Sequence, residues 1–152
     1  MKILQIPDKI LNEKCEPFYK FSGVLEPDGS VAAMAEFIRS NKRCVGLAAN
    51  QIGIKERFFV MREGYARIRY CFNPEILGHG KQLEIKPEGC MSITDGTKFF
   101  QVPRWRVITA RYLDETGKSR TLTLTGLEAR IFQHEVEHLN GLLIVKTEVK
   151  DV

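Results

Sequence analysis

Residues 125–141 read TGLEARIFQHEVEHLNG, and the way this stretch folds decides how the rest of the chain is read. Thr125-Gly126-Leu127-Glu128 has the T-x-x-E form of a capping box, in which threonine and glutamate satisfy each other's free backbone N–H groups at a helix start. Helix formers follow, and Asn140-Gly141 supplies a stop signal. The spacing predicts a helix of about four turns. On it Leu127, Ile131, His134 and His138 recur at steps of four, three and four, which places both imidazoles on one inward, otherwise apolar face. His134-Glu135-Val136-Glu137-His138 also fits H-E-x-x-H, two histidine ligands with a glutamate set to act on water rather than to ligate. A polar helix can match five residues by chance, but here cap, face and stop agree.

Working outward, two alternating runs lead straight into this helix: RVITARYL (106–113) and SRTLTLT (119–125), joined by a turn at Asp114-Glu115-Thr116-Gly117. Further strands are expected at 57–62 and 66–72, either side of Glu63-Gly64, and at 82–86. After a turn at Pro27-Asp28-Gly29, Ser30 is the expected N-cap of another amphipathic helix, with Val31, Met34, Ala35 and Ile38 as its apolar face. No repeat or low-complexity linker interrupts the chain, so residues 1–152 read as a single domain.

The N-terminus lacks the apolar core of a secretory signal, and no run approaches the roughly 18 apolar residues of a membrane helix. The expected location is therefore the cytoplasm, with no membrane partner. There, Cys15, Cys44, Cys71 and Cys90 stay reduced, and a thiolate is available as a ligand. The net charge of +4 comes from basic residues scattered among acidic ones, which argues against a specific nucleic-acid partner.

A catalytic metal usually takes three protein ligands and keeps one open position. The extension H-E-x-x-H-x-x-G-x-x-H fails, because Gly141 is in place but the third histidine would be residue 144, an isoleucine. A downstream glutamate is also poorly placed: Glu148 lies in a short tail. Upstream, His79 sits in the turn-like Leu77-Gly78-His79-Gly80, which suits an exposed side chain. Cys90, at the end of the 82–86 strand after the permissive Gly89, is the better candidate, since its thiolate completes a Cys-His-His set.

Three separated motifs now line up. Cys44-Val45-Gly46-Leu47-Ala48-Ala49-Asn50-Gln51 resembles G-x-G-L-A-A-x-Q, Glu88-Gly89-Cys90-Met91-Ser92 resembles E-G-C-L-S, and Gln133 to His138 is similar to Q-H-E-x-D-H. In that order and spacing, over residues 3–144, they resemble the peptide deformylases. The resemblance implies an α+β fold with antiparallel strands around a central metal-binding helix. It also implies hydrolysis of the N-formyl group of formyl-methionyl nascent peptides. Cys90, His134 and His138 would hold one divalent metal, Fe(II) first, with Zn(II), Ni(II) or Co(II) as alternatives. Glu135 would be general base and then general acid, and the Gln51 amide and Met91 N–H would stabilise the oxyanion. Gly46 and Gly89 would admit the substrate backbone, while Val45, Leu127 and Ile131 would shape an apolar pocket for methionine.

The chain departs from the family pattern at Cys44, in place of a glycine, and at Glu137, in place of an aspartate, where a contact orienting His138 is expected to be rearranged. It is also expected to lack the extended C-terminal helix used for ribosome contact, as a viral or reduced relative would, leaving only transient ribosome proximity in a bacterial or host cytoplasm. Two other readings remain: a small metallopeptidase, and a metal- or peptide-binding module without turnover.

Overall fold

The computed structural model describes residues 1–26 and 29–150. Two residues of the expected turn, Pro27 and Asp28, lie outside them. The ordered elements are α1 (Ser30–Ser40), β1 (Gly46–Ala48), β2 (Phe58–Glu63), β3 (Arg67–His79), β4 (Leu83–Gly89), β5 (Phe99–Trp105), β6 (Val107–Leu113), β7 (Ser119–Thr125) and α2 (Gly126–Leu139). Five strands form an antiparallel sheet in the order β1-β2-β3-β6-β7, and β4 and β5 pair separately as an antiparallel hairpin.

Helices cover both faces of the larger sheet, which explains the unbroken apolar run Phe58-Phe59-Val60-Met61 in β2. Successive side chains point to opposite faces. Phe58 and Val60 pack with Val31, Met34, Ala35 and Ile38 of α1, while Phe59 and Met61 join Ile131, Phe132 and Leu139 of α2. A third cluster, with Cys90, Ile93, Phe100, Val102 and Ile144, seals the small hairpin. Gln133 ties α2 to β5: its Oε1 accepts from the Trp105 N–H at 2.9 Å, and its Nε2 donates to the Trp105 carbonyl at 2.8 Å.

Both expected helix starts need correction. Ser30 is the first helical residue, and Gly29 occupies the cap without a side-chain bond. Thr125 is at the N-cap of α2, but the capping box does not form. The chain enters α2 through Gly126 at φ +57°, and Glu128 turns away to Arg69 (3.2 Å) and the Gly64 N–H (3.2 Å). It thus ties the helix start to the β2–β3 turn. The stop signal forms as read: Gly141 adopts φ +73°, its N–H donates to the His138 carbonyl, and the Leu142 N–H donates to Glu137, each at 2.9 Å. This pair of bonds is a Schellman motif.

Candidate metal centre and active site

Cys90 follows directly on β4, while His134 and His138 lie one turn apart on α2. The three ligand atoms lie within 4.8 Å of one another, the only such cluster of metal-ligating side chains among the described residues. Cys90 Sγ is 3.3 Å from His138 Nε2, which in turn is 3.1 Å from His134 Nε2. Donors around one tetrahedral ion at ligand distances of about 2.0–2.3 Å stand roughly 3.3–3.8 Å apart, so these two separations lie at or just under the spacing such an ion requires. The protonation pattern fits as well. The Glu88 carboxylate accepts from His134 Nδ1 at 2.9 Å, which leaves the Nε2 lone pair facing the cluster. Two imidazole nitrogens facing each other this closely cannot both carry protons; a cation between lone pairs removes the conflict.

Where no cation competes with the proton for Nε2, burial disfavours the charged form of His134, but hydrogen bonding to Cys90 and Glu88 outweighs it and holds the imidazole pKa well above its usual value. His138, buried and beside His134, is pushed well below. Glu135 is raised to about 7, chiefly by burial, with His134 opposing and Glu88 adding to the shift. Its Oε2 is buried without a protein partner, so this carboxylate keeps an unused oxygen beside the donor set.

Sequence reading missed the support around Glu88. Burial would raise its pKa, but bonds from His134 and Arg104 bring it down to about 2. Arg104 holds both carboxylate oxygens, at 2.9 and 3.0 Å, and Arg130 adds a bond of 2.6 Å. A signal was available. Glu88 is two residues before Cys90 on the same strand face, and Arg130 is one helical step of four before His134. Glu137 contacts Arg104 at 2.5 Å rather than His138, whose Nδ1 is buried without a partner. The outer support of the site therefore runs from Glu137 through Arg104 and Glu88 to His134.

Gln51 follows β1 in a short 3-10 turn, Ala49–Ile52. Its Oε1 accepts from the Ala48 N–H at 2.9 Å, which turns Nε2 toward Ser92 Oγ (3.1 Å) and Cys90 Sγ (3.8 Å). One cavity of about 260 Å³ brings together Gln51, Met91, Cys90, His134 and Glu135 with Val45, Gly46, Gly89, Leu127 and Ile131. His138 lies behind it, fully buried. Leu127 differs from its expected inward position: it is 64% exposed and forms part of the cavity mouth. Gly46 is there because a Cβ would run into the Glu135 carboxylate and the Ile131 side chain. Cys44 does not need the positive φ open to a glycine; it is buried, and its thiol donates to the Gly46 carbonyl at 3.3 Å. His79 stands apart at the end of β3, exposed and stacked on Trp105 with centroids 3.7 Å apart.

An α+β fold whose helix brings two histidines to a strand-end cysteine, with a buried glutamate alongside, has the form of a small metal-dependent hydrolase. A family model described as polypeptide deformylase matches residues 1–151. Peptide deformylase of Thermotoga petrophila is 38% identical over 138 residues, covering 91% of this chain and 80% of the relative. That of Thermus thermophilus is 35% identical over 152 residues, covering 90% and 76%. The crystal structure of peptide deformylase from Thermotoga maritima matches with a TM-score of 0.89 at 35% identity over 97% of both chains. A probable peptide deformylase from Synechococcus phage S-SSM7 matches at 0.86 and 30% identity, over 96% and 98%. The chain belongs to the polypeptide deformylase family, whose function is metal-dependent deformylation.

Proposed function

We propose that this chain, acting as one catalytic domain over residues 1–152, removes the N-formyl group from formyl-methionyl peptides and releases formate. Cys90, His134 and His138 would hold one divalent cation. The family resemblance favours Fe(II), while Zn(II), Ni(II) and Co(II) suit the same donors. When bound, the cation supplies a Lewis acid for the formyl oxygen and lowers the pKa of a water molecule.

The chain's own residues supply the rest. Glu135 takes a proton from the attacking water through its unpartnered Oε2 and delivers it to the leaving amine as the C–N bond breaks. The Gln51 Nε2 and the Met91 N–H stabilise the oxyanion. The peptide lies as an added strand between the free edges of β1 and β4, where Gly46 and Gly89 permit close approach. Val45, Leu127 and Ile131 take the methionine side chain. A site narrowed by the Glu135–Gly46 contact admits a formyl carbon, which carries only hydrogen, in preference to bulkier acyl groups.

The observation that carries this reading is the unpartnered Glu135 oxygen beside three converging donors. A structural metal site has no need of it. The test is formate release from formyl-Met-Ala-Ser by anaerobically purified protein reconstituted with Fe(II) or Zn(II), and Fe(II) activity is expected to decay in air. Glu135→Gln should keep the metal and lose formate release; full activity in that variant overturns the mechanism. Cleavage of casein or unformylated Met-Ala-Ser would favour the metallopeptidase reading, and no release with any metal would favour the binding module. The reading places the chain in a bacterial-type cytoplasm, in transient proximity to ribosomes, without a membrane or specific nucleic-acid partner. Bacterial relatives support it, and no described helix is long and apolar enough to cross a membrane.

A further inference from the structure

We infer that Arg43 makes this chain select formylated peptides with an acidic third or fourth residue. The inference rests on the deformylase reading and extends it from the formyl-methionine to the peptide behind it. Gly46 marks the deep end of the cavity, since a Cβ there would meet the Glu135 carboxylate. Arg43 lines the same cavity and is solvent-exposed. Only Cys44 and Val45 separate them in the chain, so Arg43 stands at most roughly 11 Å from Gly46, at about 3.6 Å per residue. A peptide whose formyl end reaches Glu135, paired to the free edge of β1 and running antiparallel to it, leaves the cavity past the turn that carries Arg43. That brings its third and fourth residues within reach of the guanidinium.

The charges around the cavity make Arg43 the selective group. Glu88 is taken up by Arg104, Arg130 and His134, and Glu135 faces the reacting end. Arg130 is engaged by Glu88 and by the Val102 and Glu84 carbonyls. Among the described residues, no carboxylate lies within ion-pair distance of Arg43. Its neighbours along the cavity wall include the apolar Val45, Pro87, Phe99 and Leu127, which offer a substrate carboxylate no competing charge.

The test uses the metal-loaded enzyme and amidated peptides formyl-Met-Ala-X-Ala and formyl-Met-Ala-Ala-X, with X as Asp, Asn or Lys. Formate release should rank Asp above Asn above Lys at one or both positions. Exposed ion pairs set the size of each step, about two- to fivefold in kcat/KM, carried by KM and reduced by added salt. Arg43→Glu should invert the order, and Arg43→Gln should flatten it. Equal kcat/KM across the series, or an unchanged order in Arg43→Glu, overturns the inference while leaving the deformylase reading intact. No formate even from the Asn peptides overturns the deformylase reading and the inference with it.

Discussion

Glu88 meets three positively charged or donating groups at once, and its replacement shows what the site depends on. Glu88→Ala leaves the buried Arg104 and Arg130 without their shared carboxylate and His134 Nδ1 without an acceptor. Removing one partner of a buried ion pair costs about 3–5 kcal/mol, and losing an outer hydrogen bond to a ligand weakens metal binding about 10–100-fold. Urea denaturation measures the first and chelator competition the second; an unchanged metal affinity would mean that His134 holds its orientation without Glu88. The thiols make a second prediction at this scale. Burial pushes Cys15 up to about 11 and Cys44 up to about 12. At pH 8 the thiolate fraction is then about one in a thousand or less. Neither should react with iodoacetamide in the native state, while both should react in urea; rapid native labelling of Cys44 would contradict its burial against Gly46. Sequence reading reached the three donors and the glutamate that the fold gathers at one cavity, because H-E-x-x-H and the cysteine motif are local patterns. Their supporters are not local: Arg104 meets Glu88 across 16 positions and Glu137 across 33.

Elements were legible where each carried its own stop or its own period. The five-residue alternation of SRTLTLT gave β7 its bounds, and the Schellman close of α2 was readable from Asn140-Gly141. β1 escaped notice because three residues, Gly46-Leu47-Ala48, are too short to show alternation. β5 escaped because it contains Pro103, and only Arg106 separates it from β6 although the two strands belong to different sheets. The start of α2 was misread because Gly126 at φ +57° redirects the chain, leaving Glu128 free for Arg69. The stop of α2 is open to test. Gly141→Ala forces a Cβ into the left-handed region and against the Asn12 carbonyl. The conformation alone costs about 1–2 kcal/mol. Urea denaturation should show at least that loss, since the crowding adds to it. A change below about 0.5 kcal/mol would mean that the 10–14 segment moves aside.

At the scale of the whole molecule, the donor set sits where the two sheets meet. Cys90 comes from the end of the small hairpin, while the histidines come from the helix packed on the large sheet, so a bound cation would fasten the two together. A ligand that binds only the folded chain adds stability by mass action, about 2.7 kcal/mol at 100 times Kd. Chelation should therefore lower the thermal midpoint, and Cys90→Ala should remove the metal-dependent increment; equal increments in both proteins would exclude the thiolate as a ligand. The far end of the large sheet adds an acid-sensitive contribution to stability. Burial would raise the pKa of Asp114, but bonds from Thr116 Oγ1 (2.5 Å) and Arg120 (2.7 Å), and from the Thr116 and Lys118 N–H groups, bring it down to about 2. Since the folded value lies below the ordinary 3.8, the carboxylate stabilises the fold fully above about pH 4. That contribution, about 1–2 kcal/mol after solvent screening, is lost as pH falls toward 2. Asp114→Asn should be less stable than the parent at pH 7 by about that amount, with the gap closing between pH 4 and pH 2. Equilibrium denaturation across that range checks it, and a gap that persists unchanged at pH 2 would show that the Asp114 contacts do not depend on its charge.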